Sequence, residues 1–185
     1  EGNVIKTGNL AVNAYGYDDK GDLMGNIKDT PLINNSVWTK DSTDTRYISV
    51  VNEGNVDAKI LFRALVAGTA DANMHWYRLI DVTDKVQNKD MLKTYAVANP
   101  SSSSFENNGS FNLANINEQV DLGNVYVANT NLAPKVRYYR IDYGINNNAT
   151  TATVMGRSLQ LRLEIYATQI NANYAAKVSS NTYLV

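Results

Sequence analysis

The chain has 185 residues, of which 44% are hydrophobic, enough for one domain with a sizeable core. The formal net charge is −1, so no surplus of positive charge points to nucleic acid or to an anionic membrane surface. The chain has no cysteine, which excludes disulfides, thiolate catalysis and Cys-ligated metal.

The N-terminal residues divide into a short leading segment and a strand. Val4 and Ile5 are apolar, and the polar residues 7–9 then interrupt the apolar pattern. Apolar and polar residues alternate after this break, so we predict a core strand over residues 9–17. Residues 1–8 have few apolar contacts of their own to offer and form a separate arm.

Residues 45–66 predict a β-hairpin. The first arm, residues 46–51, is rich in β-branched and aromatic residues. Residues 52–55 supply a turn, since Gly and Asn tolerate positive φ. The second arm alternates with a period of two, which is typical of a strand with one face on a core. Its apolar face consists of Ala58, Ile60, Phe62, Ala64 and Val66.

The remaining segments supply the strands that cover this apolar face. Further strands are predicted over residues 75–80, 120–128, 136–143 and 159–166. Residues 81–98 fit either a short helix or a strand, residues 111–116 a strand or a helical turn, and residues 170–185 an edge strand or a tail. Between residues 23 and 40 the chain is irregular, and four apolar residues there are expected to plug one end of the core: Leu32, Ile33, Val37 and Trp38.

Short strands separated by turns, with no internal repeat and no long amphipathic helix, predict an all-β fold. We expect a jelly-roll-like β-sandwich with one or two short inserted helices and an extended N-terminal arm. No apolar run reaches the roughly 20 residues that span a bilayer, so we expect no membrane span.

The search for catalytic residues and metal ligands is negative. The sole histidine, His75, has neither an HExxH nor a GxSxG motif around it, so we interpret it as a packing or surface residue. Asp18, Asp19 and Asp22 resemble a piece of a calcium loop but lack its remaining ligands, which favours a solvated turn. We expect no catalytic residue, no metal and no cofactor.

Four other carboxylates would bind calcium only if the fold gathers them: Asp41, Asp44, Glu53 and Asp57. The sequence also leaves open a pair of carboxylates that acts as in a glycosidase. The aromatic pairs Trp76-Tyr77 and Tyr138-Tyr139 fit either ligand stacking or half-buried strand positions. Candidate N-glycosylation sites of the Asn-x-Ser/Thr type lie in predicted loops at Asn34, Asn108 and Asn148.

Several segments together resemble the TasA/camelysin family of secreted proteins. They are Thr7-Gly-Asn-Leu-Ala-Val12, Tyr47-Ile-Ser-Val-Val-Asn-Glu-Gly-Asn55 with Lys59-Ile-Leu-Phe62, and Leu163-Glu-Ile-Tyr-Ala-Thr-Gln169. In that family a strand near the mature N-terminus precedes an Asn-x-Gly hairpin, and a late strand ends in Tyr-Ala-Thr-Gln. Residues 70–130 match nothing in the family.

The resemblance implies export by a Gram-positive bacterium or an archaeon, and a role as an extracellular fibre subunit of a biofilm matrix, similar to archaeal bundling pili. In such fibres the N-terminal arm of one subunit completes a sheet of the next. Carried over to this chain, residues 1–9 are the donor-strand arm and residues 10–185 a single sandwich domain. The donor residues would be Gly2, Asn3, Val4, Ile5, Lys6, Thr7 and Gly8. The family was also labelled a metallopeptidase, but without a zinc motif we expect no enzyme.

Donor-strand assembly also has a physical basis. A sandwich that lacks a strand exposes backbone donors and acceptors, and an arm from a neighbour supplies both the hydrogen bonds and apolar side chains. The contact joins two different surfaces, so it propagates into a filament. The expected partners are neighbouring subunits, with lateral bundling between fibres. The alternatives are a frayed or self-paired N-terminus, a monomeric cell-surface module that binds carbohydrate or protein, and, third, a metallopeptidase.

Overall fold

The computed structural model describes residues 8–33, 43–68, 75–101, 120–128, 130–145, 159–170 and 176–184. Within these ranges the chain is mostly β-strand and has a single short helix. The elements are β1 (Val12–Tyr17), β2 (Leu23–Asn26), β3 (Thr43–Asn52), β4 (Ala58–Gly68), β5 (His75–Asp81), α1 (Lys89–Ala98), β6 (Val120–Val125), β7 (Val136–Ile145), β8 (Leu159–Gln169) and β9 (Ala176–Leu184).

The strands form two antiparallel sheets, which confirms the predicted all-β sandwich. Sheet A has the strand order β2-β1-β3-β7-β5, and sheet B has the order β6-β4-β8-β9. From β3 to β8 every connection crosses from one sheet to the other, as in Greek-key and jelly-roll sandwiches. The position of β9 at the edge of sheet B confirms the edge-strand interpretation of the C-terminal residues.

The predicted hairpin over residues 45–66 is wrong. β3 pairs with β1 and β7 in sheet A, whereas β4 pairs with β6 and β8 in sheet B. Asn52 holds the connection open as an arch between the sheets. Its Nδ2 donates to the carbonyl oxygens of Val56 at 2.8 Å and Val125 at 3.1 Å, and its Oδ1 accepts from the N–H of Gly54 at 3.0 Å.

The facing sides of the two sheets enclose an aliphatic core. Ala58, Ile60 and Phe62 are buried there as predicted, while the side chains of residues 64 and 66 lie outside the described part. Ile48 and Val50 from β3, Tyr139 and Ile141 from β7, and Leu163 and Ile165 from β8 complete most of this core. Leu32 and Ile33 are buried at its margin as expected, and Val37 and Trp38 lie outside the described residues.

A second hydrophobic cluster covers the outer face of sheet A. Helix α1 begins after Asn88, whose Oδ1 accepts the N–H of Met91 at 2.9 Å. Leu92 and Ala96 of α1 are buried in one cluster with sheet tyrosines, including Tyr47. The sequence of residues 81–98 fits either a helix or a strand. In the structure, β5 ends at residue 81, a turn follows, and the rest forms α1. Residues 111–116 lie outside the described part.

Candidate functional site

The described residues that precede β1 lie along the arch between β3 and β4. The N–H of Asn9 donates to Oδ1 of Asn55 at 2.5 Å, and the carbonyl of Asn9 accepts from the N–H of Asn55 at 3.0 Å. The carbonyl of Ala11 accepts from the N–H of Glu53 at 2.7 Å. These bonds extend the path of β1 along the arch of its own chain as far as Asn9.

Two glycines allow this close approach. A Cβ on Gly8 would lie 2.5 Å from Cγ1 of Val56, and a Cβ on Gly54 would lie 2.2 Å from the carbonyl oxygen of Asn9. Gly8, predicted as part of the donor arm, thus lies close to Val56 at the arch of its own chain. The other predicted donor residues, Gly2, Asn3, Val4, Ile5, Lys6 and Thr7, lie outside the described residues.

The outer edge of β1 is only partly paired with another strand. β2 pairs with Tyr15, Gly16 and Tyr17, and the N–H of Ile27 donates to the carbonyl of Ala14 at 3.1 Å. Within the described ranges, no strand pairs with residues 10–13 on this side. Backbone N–H and C=O groups that have no strand partner at a sheet edge are a template for an added strand.

The carboxylates singled out from the sequence are not gathered into one site. Oδ1 of Asp18 accepts from the N–H groups of Lys20 and Asp22, both at 2.9 Å, which is the predicted turn. Asp44 pairs with Arg46 at 2.8 Å near the start of β3, whereas Glu53 follows the end of that strand. Among the residues that the structure describes, no group of three His, Cys, Asp or Glu side chains could hold a metal ion.

Other predicted positions fall outside the described part. The candidate glycosylation sites Asn34, Asn108 and Asn148 lie there, as does Asp41. His75, Trp76 and Tyr77 belong to the backbone of β5, but their side chains are not among those described.

A buried ion-pair network fastens the segment after α1 to sheet A. Asp142 accepts from Nε of Arg140 at 2.9 Å, from Nε of Arg78 at 2.6 Å and from the hydroxyl of Thr45 at 2.6 Å. Arg140 also donates to the carbonyl of Asn99 at 2.8 Å. Because the Arg140 and Asp142 side chains are only 6% and 4% exposed, these hydrogen bonds offset a large desolvation cost. The network therefore has a structural role.

A groove of about 320 Å³ lies on the outer face of sheet A beside α1. Tyr15 lies opposite Ser49 in the strand register, and Ser49 lies opposite Tyr138. The small Ser49 therefore sits between two tyrosines, and Val51 continues this floor. Glu53 and Lys89 also line the groove. We name it the tyrosine groove.

The sequence pattern alone does not predict the groove, although Tyr138, one of its tyrosines, fits ligand stacking. Tyr138 faces the groove, while its neighbour Tyr139 points into the core and donates its hydroxyl to the carbonyl of Leu122 at 2.8 Å. Tyr15 contributes a second wall. Burial, with the charge of Glu53, raises the pKa of the Tyr15 hydroxyl. Tyrosines at alternate positions of the first strand were the available signal.

The described ranges contain no helix that is long and apolar enough to cross a membrane.

Comparison with known proteins leaves the family open. No family model and no curated protein sequence matches the chain. Among solved structures, a family 123 glycoside hydrolase from Clostridium perfringens is similar, with 11% identity and a TM-score of 0.34. The match covers 95% of this chain but only 27% of the hydrolase chain.

A second similar structure is ACE19, the collagen-binding subdomain of the Enterococcus faecalis surface protein ACE. It has 12% identity and a TM-score of 0.28, and the match covers 81% of this chain and 90% of that one. At these scores neither likeness carries a conclusion about activity, ligands or partners.

Proposed function

We propose that this chain is an extracellular structural subunit that polymerises by donor-strand complementation into biofilm-matrix or pilus-like fibres. The observation that carries the proposal is the fixed root of the N-terminal arm. Asn9 is hydrogen-bonded to Asn55 at the arch of its own chain, at one end of β1, and Gly8 lies close to Val56 there. The residues that precede this root include the apolar pair Val4 and Ile5, which are the side chains that a donor strand needs.

The sandwich also has an edge that can receive a strand. On the outer side of β1, residues 10–13 have no strand partner within the described ranges. A strand added there gains main-chain hydrogen bonds at once, and its alternate side chains reach the margin of the core. Since the arm and the receiving edge are different surfaces, each added subunit leaves a new arm and a new edge, and growth continues.

The extracellular location and the role in a biofilm matrix rest on the resemblance to the TasA/camelysin family. Lateral bundling of fibres belongs to the same proposal. The proposal includes no enzymatic role. Purified chain that shows no chelator-sensitive proteolysis would agree with this.

Deletion of residues 1–7 tests the proposal. This deletion retains Gly8 and the hydrogen bonds of Asn9 at the arch, so the sandwich should fold with an unchanged melting temperature. We expect the shortened chain to stay monomeric in sedimentation and to show no fibres in negative-stain micrographs. Fibres of unchanged length and number would contradict the donor arm.

A pair of matched substitutions separates the arm's apolar contacts from its charge. Val4→Asp and Asn3→Asp add the same negative charge at neighbouring positions, but only Val4→Asp removes an apolar side chain. We expect Val4→Asp to reduce fibre mass much more than Asn3→Asp. Equal effects would show that charge alone controls assembly.

A further inference from the structure

The tyrosine groove has the shape of a small-ligand site. Its volume of about 320 Å³ lies near the lower end of the roughly 300–1,000 Å³ that ligand sites occupy. The floor is rigid, because Ser49 and Val51 belong to β3, a strand in the middle of sheet A. Tyr15 and Tyr138 stand on the strands to either side. The hydroxyl of Tyr17 lies 3.1 Å from Oγ of Ser49 and fixes the floor from within.

The polar groups of the groove suit hydroxyl groups. Glu53 accepts from Nδ2 of Asn13 at 2.5 Å and from the hydroxyl of Tyr15 at 3.2 Å, so its carboxylate is held in place. Carboxylate oxygens have several acceptor sites and can take a further hydrogen bond from a ligand hydroxyl. The ammonium group of Lys89, at the start of α1, can donate in return.

The groove's charge argues against an ionic ligand. It carries one carboxylate and one ammonium group, so it has no net charge that would select an anion or a cation. The partly exposed ring of Tyr15 has a different use, since the Tyr17 and Tyr138 rings are buried. Tyrosine faces carry partial negative charge, and they pack well against the weakly positive C–H groups on the flat side of a sugar ring.

We propose that the tyrosine groove binds one ring of a neutral saccharide, with the ring packed on Tyr15 and its hydroxyl groups hydrogen-bonded to Glu53 and Lys89. This site goes beyond fibre formation and does not depend on it. None of its residues belongs to the arm or to the uncovered edge of β1. A polymer of this chain would repeat the groove along its length, which raises the effective affinity for a polysaccharide.

The test is binding of defined neutral oligosaccharides to the full chain. Cellohexaose, maltohexaose and mannohexaose are titrated against the protein by calorimetry, with oligogalacturonate as the anionic comparison. We expect at least one neutral hexamer to bind and Tyr15→Ala to weaken that binding about tenfold. The matched control is Tyr126→Ala, since Tyr126 is half-buried outside the groove. It should leave the dissociation constant unchanged.

Two further variants keep the result decisive. Val51→Tyr fills the floor of the groove without removing a wall and should abolish binding even if Tyr15→Ala folds poorly. Glu53→Gln removes the charge but keeps a hydrogen-bond acceptor, so a neutral sugar should bind within about threefold of the wild-type value. The proposal is overturned if no neutral hexamer binds, if oligogalacturonate binds more tightly, or if Tyr15→Ala and Tyr126→Ala behave alike. Fibre formation, scored separately, is expected to survive all four substitutions.

Discussion

The two faces of sheet A are built from the same strands but are held together differently. On the inner face, aliphatic residues such as Ile48, Val50 and Ile141 pack against sheet B. On the outer face, tyrosines and the buried pair of Arg140 and Asp142 lie beside α1 and the residues after it. Successive residues of a strand point to opposite faces, so neighbouring positions of β7 belong to different environments. The inner face depends mainly on apolar burial, whereas the outer face combines a hydrophobic cluster with specific polar contacts.

The largest expected effect comes from the inner face. Ile141 is fully buried, and Ile141→Ala leaves a cavity between the sheets. We expect the free energy of unfolding to fall by about 4 kcal/mol, measured by chemical denaturation. Val97→Ala is the control, because Val97 is 73% exposed and its loss should change stability by less than about 0.5 kcal/mol. Similar losses of unfolding free energy for both variants would contradict the burial of Ile141 between the sheets.

The next effect comes from the adjacent residue on the outer face. Asp142→Asn keeps the shape of the side chain but leaves Arg140 buried without its charged partner. We expect a loss of about 3 kcal/mol in the free energy of unfolding. The control is Asp81→Asn, which breaks an ion pair with Arg137 at 2.9 Å where Asp81 is 45% exposed. That change should cost less than about 1 kcal/mol, and equal costs would contradict a buried network.

Alkaline pH should weaken the outer face through Tyr47. Burial raises the pKa of Tyr47 to about 12, whereas an unfolded tyrosine titrates near pH 10. In that window the unfolded chain gives up a proton that the folded chain retains, so stability is complete below about pH 10 and falls toward pH 12. Tyr47→Phe should reduce this alkaline loss by about 2 kcal/mol, measured by denaturation at pH 9 and pH 11.5. If Tyr47→Phe had the same pH dependence of stability as the wild-type chain, the Tyr47 hydroxyl would be exposed to solvent and not buried.

The smallest effect distinguishes two buried hydroxyl groups at neutral pH. The Tyr139 hydroxyl donates to the carbonyl of Leu122 at 2.8 Å, while the Tyr47 hydroxyl is buried beside Arg140 and makes no hydrogen bond of good geometry within the described part of the chain. Tyr139→Phe should therefore cost about 1 kcal/mol, and Tyr47→Phe should be neutral or slightly stabilising. The reverse order of the two unfolding free energies would contradict the hydrogen-bond assignment.

Much of the strand content follows from the sequence, because alternation reports which residues share a face. The alternation of β4 and the β-rich run of β7 lead to correct strands, and Ile60 and Phe62 are buried as that pattern requires. Alternation does not indicate which other strand a given strand pairs with. β3 and β4 are neighbours in sequence but belong to different sheets, and the side chain of Asn52 decides this through bonds to Val56 and Val125.

The sequence gives little indication of what covers the outer face of sheet A. Only Leu92 and Ala96 of α1 are fully buried, so the helix carries a weak amphipathic signal. Its contact surface consists largely of tyrosines, whose residue type does not reveal whether they are buried or exposed. The groove combines Tyr15, Ser49 and Tyr138 from three strands, and only the strand register places them together.

The outer edge of β1 differs from both faces of sheet A, because it is where the proposed assembly would take place. The measurement that tests it most directly mixes the chain lacking residues 1–7 with full-length chain and records fibre length by electron microscopy. In the proposed assembly, a shortened subunit keeps the receiving edge but has no arm, so it joins a growing fibre and then stops its growth. We predict that mean fibre length falls steadily as the shortened fraction rises, while the chain carrying Asn3→Asp has no such effect. Fibre lengths that stay constant at every ratio would contradict assembly through the N-terminal arm.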